Sequence, residues 1–253
     1  MSEKCPLSAC LSAALAFVSL IVFWGGCSDS SRTVTSGIVS AYRGDSGIES
    51  ILSYTGRGYL KVLPVGNKVE NLHLDLFQDY RKYRVQYVDV FKGDVVDKWI
   101  WINNGSQRRV WATAPEMVNR PELEYRYLDY RFPMLLDWMR KYEGEAEVNK
   151  KDDSYILEYQ LAELVLKVTV GRKNRYIRRI DIEDRRNDLV FSEDYTDYRR
   201  IEGIPFPNRV RKSINSEPYC EFFTPVIRYG ESPPDSVFAI SAADTAGVAT
   251  GGE

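Results

Sequence analysis

The sequence predicts an α+β fold dominated by one large antiparallel sheet, about 10–11 strands that curl or close to hide an apolar face, with two short helical insertions. Three observations predict it. Segments with strand-like alternation recur along most of the chain, and Gly, Asn or Asp turns separate many of them. One central stretch, 133–142, instead carries apolar residues at helical spacing. No internal repeat or break in composition marks a second folding unit within 38–240.

The elements follow in order. Lys4 and an uninterrupted apolar run over 11–24 have the form of an export signal, shorter than the roughly 20 residues that a membrane span requires. Trp24-Gly25-Gly26-Cys27-Ser28-Asp29 resembles the lipobox of bacterial lipoproteins, with Trp24 where that pattern prefers an aliphatic residue. The resemblance implies a signal peptide at 1–26 and lipid, such as palmitate, attached at Cys27. Residues 27–37 are small and polar and read as a tether, and 241–253 as a disordered tail.

Within 38–240, a short helix is expected near 47–54, with Gly56 and Gly58 as punctuation before the sheet. Strands are expected at 60–65, 71–78, 82–91, 97–102 and 107–113. Asn104-Gly105 is the strongest hairpin signal, because both residues tolerate positive φ. In the central stretch Met134, Leu135, Trp138, Met139 and Tyr142 share one helical face, Pro133 suits the first turn and Gly144 the stop. Sheet then resumes at 154–161, 164–170, 176–183, 189–199, 207–214 and 221–229.

Composition excludes several functions. The 34 Lys and Arg nearly balance 36 Asp and Glu, for a net charge of -2, so the chain lacks the excess cations of a general nucleic-acid binder. The one histidine, His73, alternates with Leu72 and Leu74 and reads as a solvated sheet residue. Cys5 and Cys10 precede the cleavage site and Cys27 would carry the lipid, leaving Cys220 as the one remaining cysteine, read as a buried apolar residue. Gly56-Arg57-Gly58 is no nucleotide loop, and no metal-ligand or cofactor motif is found. Asp181, Glu183 and Asp184 are neighbouring acids of the sort a glycosidase pairs, but so many acids offer such neighbours by number alone. The chain is not expected to be an enzyme.

The C-terminal half is more specific. Asp197-Tyr198-Arg199-Arg200-Ile201-Glu202-Gly203-Ile204-Pro205-Phe206-Pro207, followed by Pro234-Asp235-Ser236-Val237-Phe238, resembles the hairpin and ending of the LolA/LolB-like superfamily of lipoprotein carrier and sorting proteins. Tyr83-Arg84-Val85 and the 104–111 hairpin resemble that family's upstream strands more loosely. The resemblance implies a half-barrel with helices over its mouth and an apolar cup for the acyl chains of lipoproteins or lipids. It implies a monomeric envelope protein at the periplasmic face of the outer membrane, acting in lipoprotein transport as a chaperone does. It also makes Arg84 a latch for the lid, whereas its alternation with Tyr83, Val85 and Tyr87 favours a solvent-facing residue.

Rigid rings suit such a cup, so Trp99, Trp101, Trp111, Trp138 and Tyr176 are candidate ligand contacts, or else plain core. Arg178 shares strand parity with Tyr176, Ile180 and Ile182, and on an apolar face it must pair, snorkel or meet a headgroup. The doublets Arg178-Arg179, Arg185-Arg186 and Arg199-Arg200 form a basic interval that would favour anionic lipid if it shared one face. A sensor or interaction module with a filled core is the alternative function, and an envelope hydrolase the third.

Overall fold

The computed structural model describes residues 30–43, 48–62, 70–79, 82–91, 94–104, 108–112, 127–230 and 232–240. Two meanders build one antiparallel sheet. The first holds β1 (Ser53–Val62), β2 (Glu70–Asp79), β3 (Lys82–Phe91), β4 (Asp94–Asn103) and β5 (Arg108–Ala112). The second holds β6 (Glu147–Lys151), β7 (Ser154–Gln160), β8 (Leu164–Gly171), β9 (Ile177–Asp184), β10 (Leu189–Ile201), β11 (Ile204–Ile214) and β12 (Glu217–Tyr229). β1 pairs with β12, giving one twelve-stranded open sheet with β5 and β6 at its edges.

This exceeds the expected strand count by β6, whose Glu-Val-Asn-Lys-Lys sequence has almost no apolar face. Its exposed charges are what an edge strand needs to discourage pairing with another chain. Expected boundaries in the second meander hold to within a few residues, and the tight turns have a local cause. Glu202-Gly203 and Asn215-Ser216 each carry positive φ at both positions, the geometry that matches strand twist in a two-residue hairpin.

Gly56 and Gly58 lie inside β1 and do not precede it. A Cβ at Gly58 would sit 1.9 Å from the Phe223 carbonyl oxygen, so only glycine lets β1 and β12 approach at the irregularity between Arg57 and Tyr59. The expected 47–54 helix is a short 3-10 turn, Ile48–Leu52.

The tether expectation is corrected from Ser31 onward. Helix α1 (Ser31–Ala41) begins at Ser30, whose hydroxyl accepts from the Thr33 amide, and buries Val34, Thr35 and Ile38 one turn apart. Two fully buried apolar side chains, Val34 and Ile38, suffice because the sheet supplies the rest of the core; composition alone could not reveal that. Helix α2 (Met134–Lys141) matches the predicted amphipathic segment.

Connectivity places α2. The chain between β5 and β6 must return from one sheet edge to the other, roughly 50 Å if the sheet were flat. Side chains of β1, β7 to β12, α1 and α2 nevertheless meet in one apolar cluster, which requires the sheet to curl around the helices. On the opposite face the C-terminal 3-10 turn, Asp235–Phe238, packs beside β3 with Phe238 buried.

Candidate functional site

The candidate site is the concave face beneath α1 and α2. Val34, Ile38, Leu135, Leu136 and Met139 are wholly inaccessible to water, as are the facing Leu157, Leu166, Val168, Ile180 and Ile182. A water-sized void beside any of them would leave measurable exposed area, so the described part of this face is dry and filled. Trp138 belongs to this packing: its ring lies 4.8 Å from Tyr159 on β7, 4.7 Å from Tyr142 and 5.3 Å from Tyr130.

The root of α2 is held by charge. Arg131 Nε donates to Glu193 Oε1 at 2.6 Å, Lys212 Nζ lies 3.5 Å from the same oxygen, and the Tyr195 hydroxyl donates to Oε2. Glu193 and Lys212 side chains are 2% exposed, and Lys212 also sits 4.2 Å from the centre of the Phe222 ring. Burial pushes the Glu193 carboxyl upward, but the cations Arg131 and Lys212 outweigh it and hold the group below its ordinary range. Burial and the adjacent carboxylate drive the Tyr195 hydroxyl well upward. The Phe132 amide points to that hydroxyl at 3.4 Å, so both residues before Pro133 are tied to β10.

The motif hairpin has a physical role. The β9–β10 ladder stops at Arg179–Asp194 and the β11–β12 ladder at Arg209–Phe223, so residues 195–208 rely on each other as a ribbon. Pro205 and Pro207 have no amide hydrogen to extend the β12 ladder. Side chains stitch both splits. The Ile177 amide donates to Tyr42 Oη at 2.9 Å, and Tyr198 Oη donates to the Ile177 carbonyl at 2.5 Å. Across the other split, Arg199 Nη2 donates to the carbonyls of Thr224 (3.2 Å) and Pro225. Ile204 and Phe206 of the ribbon are buried in the core, the latter against Phe132 and Tyr54.

The other expected site residues scatter. Tyr176 stacks on Tyr198 at 4.9 Å, outside the dry interior. Arg178 is the clearest correction. Thr169 pairs with Arg179 but Val170 with Ile177, an irregularity that skips Arg178, so Ile177 occupies the interior and Arg178 grips both oxygens of Asp153 at the surface. Arg84 Nη1 donates to the Val237 carbonyl at 3.2 Å, so it holds the C-terminal turn; no bond between it and α2 is seen among the described residues.

Trp99 and Trp101 lie on β4 opposite Tyr87 and Val85, and Trp111 on β5 opposite Ile100, but their side chains lie outside the described residues, as does Cys27. The basic doublets do not share a face: Arg199 turns to β12 carbonyls, Arg200 to Gly203, Arg179 to Asp181 and Asp194. Asp181, Glu183 and Asp184 are each engaged, by Arg179, Lys167 and Tyr127 respectively.

Arg131, Glu193 and Lys212 were missed by sequence reasoning. The signal was present at Glu193, a carboxylate on the same parity as Phe191 and Tyr195. Among the described residues no cluster of His, Cys, Asp or Glu could hold a metal ion, and no helix is long and apolar enough to cross a membrane.

No protein-family model matches the chain, and no curated protein matches it in sequence. Solved structures do resemble it. A domain from Vibrio parahaemolyticus described as an outer membrane lipoprotein-sorting protein aligns with a TM-score of 0.50 at 8% identity, covering 81% of this chain and 94% of that one. A LolA superfamily protein from Nitrosomonas europaea aligns with a TM-score of 0.50 at 10% identity, covering 83% and 98%. The fold is LolA/LolB-like, as the motif implied.

Proposed function

We propose that this chain is a cell-envelope lipoprotein, anchored through Cys27, that binds acyl chains of lipoproteins or lipids on its concave face when α2 is displaced and assists their transfer to a membrane. The observation that carries the reading is the way α2 closes that face: four buried apolar side chains, Met134, Leu135, Leu136 and Met139, on a helix fixed at its root by Glu193 and Tyr195. Magnitudes make displacement feasible. Those side chains contribute roughly 6–12 kcal/mol of burial, and an acyl chain of about fifteen methylenes contributes roughly 12 kcal/mol in their place. Exchange is then near balance, which suits a protein that must also release its ligand. No chemistry is asked of the site, and the fold's likeness to a lipoprotein-sorting domain supports the same reading.

The dry interior also favours a second reading, an interaction or sensor module whose core never opens. Native mass spectrometry of the chain purified from a lipid-replete host, with organic extraction, separates them. A stoichiometric acylated species displaced by a fatty-acyl probe supports binding; an apo mass that takes up no probe supports the closed module.

A further inference from the structure

We propose that the groove beside the β8–β9 turn, on the sheet face opposite α2, is a binding site for a phosphate-type oxyanion. The split between β9 and β10 leaves an open cleft of about 570 Å³ there. Thr196, Arg209 and Arg211 line it together with Asn174, Tyr176 and Tyr198.

The charges in the cleft are unequally committed. Arg211 stands directly between Asp194 on β10 and Glu221 on β12, in a cross-strand row that continues to Arg179 and Lys61. Both carboxylates pair elsewhere, Asp194 with Arg179 at 2.8 Å and Glu221 with Arg209 Nε at 3.3 Å. Neither Arg211 nor the Thr196 hydroxyl makes an ion pair or hydrogen bond among the described residues. Arg209 and Arg211, two residues apart on one strand face, have backbones about 7 Å apart, close enough for both flexible side chains to reach one tetrahedral oxyanion. Acceptors in the cleft are therefore occupied while donors remain, and the stacked Tyr176 and Tyr198 rings add a flat apolar shoulder for whatever carries the anion.

The source is either a lipid phosphodiester headgroup or free phosphate, and titration separates them. The full chain, purified in a phosphate-free non-ionic detergent, is titrated calorimetrically with inorganic phosphate and with glycerophosphoglycerol, a soluble lipid headgroup. Saturable binding is expected, weakened by salt, with Kd raised about tenfold in Arg211→Gln by loss of one charge-assisted contact and unchanged in Arg200→Gln. Tighter binding of the diester assigns the site to lipid headgroups, and tighter binding of phosphate to the free ion. Absence of saturable binding by either probe, or equal binding by Arg211→Gln in a protein with native circular dichroism, overturns the proposal. The exposed Thr196, Arg209 and Arg211 are not part of the apolar face beneath α2, so failure of either reading leaves the other standing.

Discussion

The Tyr42 hydroxyl donates to the Tyr198 hydroxyl at 3.0 Å, and with the Ile177 peptide the two close a ring of three hydrogen bonds. The ring joins the end of α1, the motif hairpin and the first residue of β9 where the sheet has split. Burial pushes both hydroxyls well upward, so they stay neutral donors throughout the ordinary pH range.

Removing either hydroxyl orphans a buried backbone group. Tyr42→Phe and Tyr198→Phe are each expected to destabilise by about 1–3 kcal/mol. The double variant should lose less than the sum, because both singles break the same ring. Urea unfolding of the four proteins measures it, and strict additivity would count against a coupled ring.

Glu193 is predicted to carry the largest single polar effect. Glu193→Gln leaves the buried Lys212 and the partly buried Arg131 without the counter-charge they share, at a cost of about 3 kcal/mol or more. The pH dependence has a definite sign. A folded-state carboxyl held below its unfolded value of about 4.3 contributes stability that is fully present above that value, and the contribution is lost as pH falls through the lower folded value. Urea midpoints taken from neutral to acid pH should fall less steeply in Glu193→Gln than in the parent; parallel curves would show that Glu193 is not so perturbed.

Two glycines should respond oppositely to alanine. At Gly58 a Cβ meets backbone at 1.9 Å and 2.8 Å, atoms that cannot yield without parting β1 from β12, so Gly58→Ala should destabilise by about 3 kcal/mol or more. In α1, the nearest atom to a Cβ at Gly37 is an Arg175 side-chain nitrogen at 3.7 Å, and Gly37→Ala should gain about 0.5–1 kcal/mol. Thermal melts of both variants suffice.

The C-terminal turn is held by its ring more than by its charges. Phe238→Ala should cost about 3–5 kcal/mol, since the side chain is 1% exposed. Asp235→Asn should lower stability far less, because its partnership with Lys82 is a surface pair with Asp235 at 86% exposure. Equal losses would make the ion pair the dominant tie.

These sites also mark how far the sequence could be read. The second meander was legible because period-two alternation is a local property, as along β7 and β8. α1 was hidden because Ser, Thr and Gly dilute its apolar stripe, and only a preformed sheet makes Val34 and Ile38 sufficient. Arg178 was misplaced because parity assumes a regular ladder, and a one-residue irregularity exchanges faces. The Glu193 cluster unites β10, β11 and the root of α2 across long sequence separations, which no spacing rule expresses.

The most direct test of acyl binding beneath α2 is hydrogen exchange of residues 131–142 with and without a stoichiometric fatty-acyl probe. Displacement of α2 predicts faster exchange at the Leu135, Leu136 and Tyr142 amides, which bond Arg131, Pro133 and Trp138 carbonyls in the closed form, with the second meander still protected. Exchange left unchanged by a saturating probe would contradict opening of the concave face and leave the closed module as the function.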